Sequence, residues 1–254
     1  MKRICVPAFA IVISLFMLQS CKKEAGPAGP QGPAGPILSG NLFGFVDLLD
    51  QYGNKIIVGN DGIQVTLDGT GKSTYTNSNG KYQFDSLATG VYNLTFSKAG
   101  FGTMRLLTQQ FIGGGDVDRD TKMSIVPAFS VSSLTATIDT ANVTLTAPLS
   151  STDTRLRTAV FFLGANSAVS SDPANYLLSY NKQTTNGNLN TAIIKIPIAE
   201  LQSAGFGSGS TLYFSAYGAS ASFASSSTYE DLNSGRSYFN GLSSNASTVS
   251  IVMP

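Results

Sequence analysis

The 254-residue chain has no histidine, no tryptophan and only two cysteines. Without histidine, no Ser-His-Asp or Cys-His catalytic arrangement can be built, and no imidazole is available to a metal. Without tryptophan, any aromatic platform must be made of tyrosine or phenylalanine, which weakens the case for sugar stacking. Charge is scarce too: charged residues make up 12% of the chain, sixteen basic side chains against fifteen acidic ones. A near-neutral chain presents no basic face to a phosphate backbone, so nucleic acid is not expected as a partner. Ser, Thr, Gly and Asn are abundant instead, the composition of an extracytoplasmic β-protein rather than of a helical or disordered chain.

The chain starts with a basic pair, Lys2 and Arg3, followed by an apolar run from Val6 to Met17 broken by Pro7 and Ser14. Roughly a dozen residues suit the core of a signal peptide and fall short of the ~20 that a membrane-spanning helix needs. Leu18-Gln19-Ser20-Cys21 comes next and resembles the lipobox of bacterial lipoproteins. That resemblance implies a signal peptide over 1–20, cleavage after Ser20 and diacylglycerol on the Cys21 thiol. It also implies an outer-membrane anchor with the chain facing the periplasm or the cell surface. The alternative is an ordinary secretory signal with an incidental cysteine. In the lipoprotein reading Cys5 leaves with the signal and Cys21 is acylated, so no thiol remains for a disulfide, a nucleophile or a metal.

Residues 21–40 read as a linker. Lys22-Lys23-Glu24 resembles the surface-export tags of Bacteroidetes lipoproteins. Four Gly-X-Y triplets run from Gly26 to Ile37, with Pro27, Pro30, Pro33 and Pro36 at every X position. Such triplets suit either a trimerising triple helix, whose axis admits only glycine, or a polyproline-II spacer of ~3.1 Å per residue. Four triplets without proline at Y are too few to hold three chains together, which favours the spacer.

From Asn41 to Pro127 short alternating segments are separated by turn residues. Ile63, Val65 and Leu67 alternate; Tyr82 and Phe84 follow the tight-turn pair Asn79-Gly80; Tyr92, Leu94 and Phe96 follow Thr89-Gly90. Period-two patterning with no helical segment predicts an all-β sandwich. The runs 44–47 (Gly-Phe-Val-Asp), 62–67 (Gly-Ile-Gln-Val-Thr-Leu), 76–84 (from Thr76 to Phe84) and 87–101 (from Leu87 to Phe101) resemble the carboxypeptidase regulatory-like domain. The resemblance spans 41 to about 126 and implies a transthyretin-like, seven-stranded sandwich serving as a non-catalytic accessory module. The stretch from Asp50 to Asp61 departs from that pattern.

Alternation resumes from residue 128 to 254, in stripes such as Val143-Leu145-Ala147, Val160-Phe162, Ile194-Ile196-Ile198 and Leu212-Phe214-Ala216. About seven strands predict a second sandwich, of immunoglobulin or fibronectin-III type. Asn186-Gly187-Asn188 predicts a hairpin turn, and Pro197–Ala204 one or two helical turns stopped by Gly205.

Candidate sites are few. Asp116, Asp118 and Asp120 alternate after Gly113-Gly114-Gly115; in a loop they suit Ca²⁺ and in a strand three solvated carboxylates on one face, and a polar loop before the last strand is favoured. Tyr176, Tyr180, Tyr213, Tyr217, Tyr229 and Tyr238 suit a sugar platform or ordinary strand packing, the latter favoured. Arg155 and Arg157, two apart, suit an anion site or a solvated edge strand. No cofactor and no catalytic residue is expected. The resulting expectation is a membrane-anchored binding or structural lipoprotein, accessory to nutrient uptake or adhesion, with a protein or carbohydrate ligand. The alternative is a glycan-binding or glycan-active protein drawing a carboxylate pair from Glu200, Glu230, Asp231 and Asp172.

Overall fold

The computed structural model describes residues 37–150, 154–220, 228–245 and 248–254. Cys21, the signal region and the Gly-X-Y triplets up to Pro36 lie outside the described residues. Among the described residues, no helix is long and apolar enough to cross a membrane.

Alternation at period two places every second side chain on one face, and that alone builds the first lobe. Its nine strands are β1 (Ser39–Leu49), β2 (Lys55–Ile56), β3 (Gln64–Leu67), β4 (Lys72–Tyr75), β5 (Lys81–Ala88), β6 (Gly90–Ser97), β7 (Met104–Phe111), β8 (Val117–Asp118) and β9 (Thr121–Ser124). β1 begins two residues inside the stretch assigned to the linker. One sheet has β1 at its centre, antiparallel to β5 and β2 and parallel to β8 and β9; the other runs β4-β3-β6-β7. Leu42, Val46, Leu48, Tyr82, Phe84 and Met123 from the first sheet meet Val65, Leu67, Leu94 and Phe96 from the second. Each such side chain contributes roughly 1.5–3 kcal/mol on burial. The lobe thus has nine short strands where seven were expected, because β1 is long enough to pair with two partners in succession on each side.

The stretch from Asp50 to Asp61 turns out to be ordered by one carboxylate. Asp50 Oδ1 accepts the Tyr52 and Asn54 backbone N–H groups, both at 2.8 Å, and Asn54 Nδ2 donates to Oδ2 at 3.0 Å. This Asx-type turn folds β2 back onto β1, where Lys55 pairs with Asp47 at 2.7 Å.

The second lobe contains β10 (Thr135–Ile138), β11 (Asn142–Pro148), β12 (Thr158–Gly164), β13 (Leu178–Gln183), β14 (Thr191–Pro197), β15 (Thr211–Ala219), β16 (Thr228–Glu230), β17 (Ser237–Phe239), β18 (Leu242–Asn245) and β19 (Val249–Val252). A three-stranded sheet, β10-β11-β14, packs on β13-β12-β15-β18, with β19 also paired to β15. Val143, Leu145 and Ala147 face Phe161, Leu163, Leu212 and Phe214 across the core. The expected helical turn is present as α1 (Ile198–Ser203), which buries Ile198 and Leu201 and ends before Gly205 at φ 97°. The turn expected at Asn186-Gly187-Asn188 forms, closed by a bridge between Thr185 and Asn188. It joins β13 and β14, which lie in different sheets and pair with β12 and β11, rather than the two strands of a hairpin.

β12 corrects one stripe. All seven of its residues are buried, because both faces of its sheet are covered. Ala159, Phe161 and Leu163 enter the main core, whereas Val160 and Phe162 face outward into a second cluster with Val169, Tyr176 and Tyr217.

The lobes touch along a continuous seam. Ser220 Oγ donates to the Ile125 carbonyl, Gln51 Oε1 accepts the Ala128 N–H at 2.9 Å, and the Arg155 guanidinium lies 3.6 Å above the Tyr52 ring. Gly102 meets Gly241 there so closely that a Cβ on Gly102 would overlap the Gly241 nitrogen. Only glycine allows that approach.

Candidate functional site: an aromatic cleft between the lobes

The cleft is built around the hairpin of β16 and β17. Its turn is fixed by Asp231, whose Oδ2 accepts Ser234 N at 2.8 Å and Ser234 Oγ at 2.6 Å. Those bonds hold the Asp231 carboxyl below the usual carboxylate range. The register sets Tyr229 directly opposite Tyr238, and directly opposed side chains on an antiparallel pair are near neighbours. The two rings stack, with centroids 4.8 Å apart and planes 24° from parallel.

The hairpin is clamped at both ends. Tyr229 packs on the first-lobe core and lies beside Arg105, which pairs with Asp68 at 2.6 Å; Thr95 Oγ1 donates to the same carboxylate at 2.8 Å. Burial raises the Tyr229 phenol above its ordinary pKa, so it remains neutral beside the guanidinium. On the other side, Phe239 sits edge-on to Phe162 at 5.2 Å, and Tyr217 does the same at 5.4 Å. The aromatic surface is therefore held rigidly before any ligand arrives.

β17 then leads into Asn240 and Gly241. Asn240 is 5% exposed, its Nδ2 lies 3.0 Å from Met104 Sδ, and its Oδ1 has no hydrogen-bond partner among the described residues. An unsatisfied buried acceptor costs about 1–3 kcal/mol, and native structures hold few of them.

Tyr217, Tyr229, Tyr238, Phe239, Asn240 and Ser171 line the second-lobe wall of a cleft of about 330 Å³, while Gly102, Thr103 and Val126 close it from the first lobe. Among the described residues, no Asp, Glu, Lys or Arg lines it. Two larger hollows, one of about 400 Å³ bounded by β1, β7, β9 and Thr228 and one of about 460 Å³ at Gly62, Gln64, Tyr75 and Lys98, have no buried unpartnered side-chain atom in their walls among the described residues.

The six tyrosines do not make one platform. Four converge around the cleft or behind it: Tyr229 and Tyr238 as the stacked pair, Tyr217 in the wall, and Tyr176 behind, donating to the Ser237 carbonyl at 2.7 Å. Tyr180 lies against the main core, with its hydroxyl donating to Glu200 at 2.8 Å, and Tyr213 packs against the outer cluster. Packing explains most of them, as expected, and the Tyr229–Tyr238 pair is the exception. Asn240 was missed altogether; the Asn-Gly dipeptide marks a turn, but nothing in the sequence marks its burial.

The other candidates separate. Asp118 lies in β8 beside Asp120, whose Oδ1 accepts Phe45 N at 2.7 Å. Loss of hydration, then the hydrogen bond and charge of Asp120, raise the Asp118 carboxyl above its ordinary value. Asp116 precedes the two-residue strand, so the three carboxylates do not share one strand face. Among the described residues no group of three acidic side chains gathers at metal-binding range. The arginines are not a solvated edge pair. Both precede β12; Arg155 lies over Tyr52, and Arg157 is 1% exposed, donating to Leu189 O and Asn190 Oδ1 at 2.7 Å each. Of the four carboxylates considered for catalysis, Asp172 caps Ala174, Asp231 closes the hairpin turn and Glu200 holds Tyr180. Glu230 lines a groove along β7, and none of the four lines the cleft.

The profile of the carboxypeptidase regulatory-like domain family matches residues 56–124. The first lobe carries this domain. The match begins at β2 and leaves the long central strand β1 outside it, a narrower span than the resemblance from residue 41 suggested. The regulatory-like domain thus supplies Gly102 and Thr103 to the cleft, and the chain that follows it supplies the aromatic wall. No curated protein is similar to the chain in sequence. Among solved structures, a candidate carbohydrate-binding protein of Bacteroides uniformis aligns over 84% of this chain and 98% of its own, at 16% identity and a TM-score of 0.34. A DUF3823 family protein of Bacteroides ovatus aligns over 85% and 100%, at 14% identity and a TM-score of 0.33. Another from Parabacteroides merdae aligns over 72% and 92%, at 15% identity and a TM-score of 0.26. Likenesses this low decide nothing about a ligand, and the residues of the cleft must carry that argument themselves.

Proposed function

We propose that this chain is a non-catalytic binding lipoprotein, anchored to the outer membrane through Cys21 and spaced from it by the Gly-Pro-rich linker. Its binding surface is the interlobe cleft, presented to a carbohydrate or protein ligand in nutrient uptake or adhesion. The observation that carries this reading is the composition of the cleft wall. A stacked tyrosine pair stands beside a buried carboxamide oxygen, and among the described residues that oxygen has no partner and the wall holds no carboxylate or amine. Glycan hydrolysis, the alternative, requires two carboxyl groups flanking the bound ligand at ~5–10 Å. Asp172, Glu200, Glu230 and Asp231 all lie outside this wall.

The chain contains cysteine only at positions 5 and 21, which makes a direct test simple. Labelled lipid should be incorporated by the native precursor and not by Cys21→Ser; incorporation by the variant would contradict the anchor. In a soluble Cys21→Ser form lacking the signal, a fluorophore on Thr103→Cys sits at the cleft. Saturable changes in emission are expected with envelope or dietary glycans or with outer-membrane proteins. Silence with every class would contradict the binding reading.

A further inference from the structure

We infer that the cleft takes a neutral saccharide, one sugar ring stacking on the Tyr229–Tyr238 pair and its hydroxyls using the Asn240 carboxamide. This rests on the reading of the cleft as the binding surface, and it narrows the ligand to one chemical class.

The wall excludes charged ligands first. A uronate, phosphate or charged peptide side chain entering it would lose hydration and meet no counter-charge, because no Lys, Arg, Asp or Glu among the described residues lines the cleft. It excludes purely apolar ligands next. A hydrocarbon chain would leave the Asn240 carboxamide, already lacking a partner for Oδ1, and the hydroxyls of Thr103, Ser171 and Tyr238 facing apolar surface. What remains is a neutral molecule with an apolar face and a polar rim. A pyranose ring has that character: axial C–H groups lie on one face and hydroxyls project around the edge. The volume, about 330 Å³, is at the lower end of small-molecule sites and suits one or two rings rather than a long chain.

The aromatic pair is prepared for this. The first-lobe core supports the Tyr229 ring, with Arg105 beside it, while Tyr238 stacks on it only 24° from parallel. Little side-chain freedom is left to lose on binding, which favours affinity. Asn240 Oδ1 supplies the acceptor that a sugar hydroxyl can donate to, its Nδ2 being held by Met104 Sδ. Ser171 N–H donates to the Tyr217 hydroxyl at 3.2 Å, which orients that phenol beside the same space.

Titration calorimetry of the mature chain with neutral oligosaccharides, the matching uronates and a mixed peptide pool tests the inference. A neutral oligosaccharide should bind, its uronate counterpart at least about tenfold more weakly, and Tyr238→Ala should weaken binding by about tenfold, the scale of one aromatic stacking contact. Tyr238→Phe should retain the stacking and most of the affinity. Tyr238 is half-buried and its replacement leaves the folded core intact, so the test survives if Asn240→Ser, expected to abolish binding, fails to fold. Equal affinity for uronates, or binding undiminished in Tyr238→Ala, overturns the inference. A Thr103 fluorophore that responds to protein or peptide while no sugar binds overturns the saccharide and leaves the cleft reading standing; a fluorophore silent to every class removes both.

Discussion

At the scale of single residues, the molecule departs from regularity at a few positions, and each departure has a local cause. Ser86 and Thr108 have φ of 51° and 52°, and each sits where the strand register slips by one residue, in β5 against β1 and in β7 against β6. Each displaced N–H is taken up by an asparagine on the neighbouring strand: Asn41 Oδ1 for Ser86, at 3.3 Å, and Asn93 Oδ1 for Thr108, at 2.7 Å. A β-branched residue in this region is strained by about 1–3 kcal/mol, and glycine recovers it at an entropic cost of about 0.5–1 kcal/mol. Thr108→Gly should therefore raise unfolding stability by about 1 kcal/mol in urea titration, while Asn93→Ala should lower it by a similar amount. Carboxylates act in opposite directions with pH. Burial alone would raise Asp50, but hydrogen bonds from Asn54 and Tyr52 and the charge of Arg155 lower it below its ordinary value of 3.8. Its contribution is thus present above that value and is lost as pH falls through the folded pKa. Asp118 is raised, so its contribution is present below 3.8 and is lost as pH rises through its folded pKa. Urea titrations should show Asp50→Ala losing ~1 kcal/mol at neutral pH and progressively less in acid. Asp118→Asn should be neutral or slightly stabilising at neutral pH, by a few tenths of a kcal/mol for so exposed a group.

At the scale of elements, patterning carried most of the information. Ile63, Val65, Leu67, Leu94 and Phe96 are all fully buried, as their alternation requires, and the turns at Asn79-Gly80 and Asn186-Gly187 formed where dipeptide chemistry placed them. Pairing order was not readable, because period two fixes which face is buried but not which strand lies alongside. β1 illustrates this: its outward alternation gives no sign of parallel partners seventy residues away. Arg157 and Asn240 were unreadable for a related reason. Polar side chains are buried when distant segments happen to enclose them, and no local pattern records that. The same holds for the cleft, whose two walls come from Gly102, Thr103 and Val126 and from residues beyond 170. The close approach of Gly102 to Gly241 makes it testable at this scale. Gly102→Ala cannot fit without parting the seam, and overpacking of this kind costs about 1–3 kcal/mol. A melt should show that loss, and ligand binding in the cleft should fall with it, whereas Gly115→Ala, which meets nothing within 4 Å, should leave binding unchanged.

At the scale of the whole molecule, two sandwiches with separate cores share one seam. Residues 41–127 and 128–254 are proposed as separable units, since each holds an apolar cluster large enough to fold around. Expressed apart, each should give a β-type circular dichroism spectrum and a cooperative melt. The first should melt lower than in the full chain, because Tyr229 and the Arg105 contact leave with the second. A helical spectrum from either half would contradict the division. Neither half alone should bind the ligand, because each carries only one wall of the cleft. Hydrogen–deuterium exchange on the mature chain, with and without a bound neutral oligosaccharide, tests this account most directly. The account predicts new protection on both sides of the seam, at residues 102–104 and 126 in the first lobe and at 217 and 229–243 in the second. Protection confined to one lobe, or lying on the outer strands away from this seam, would contradict it.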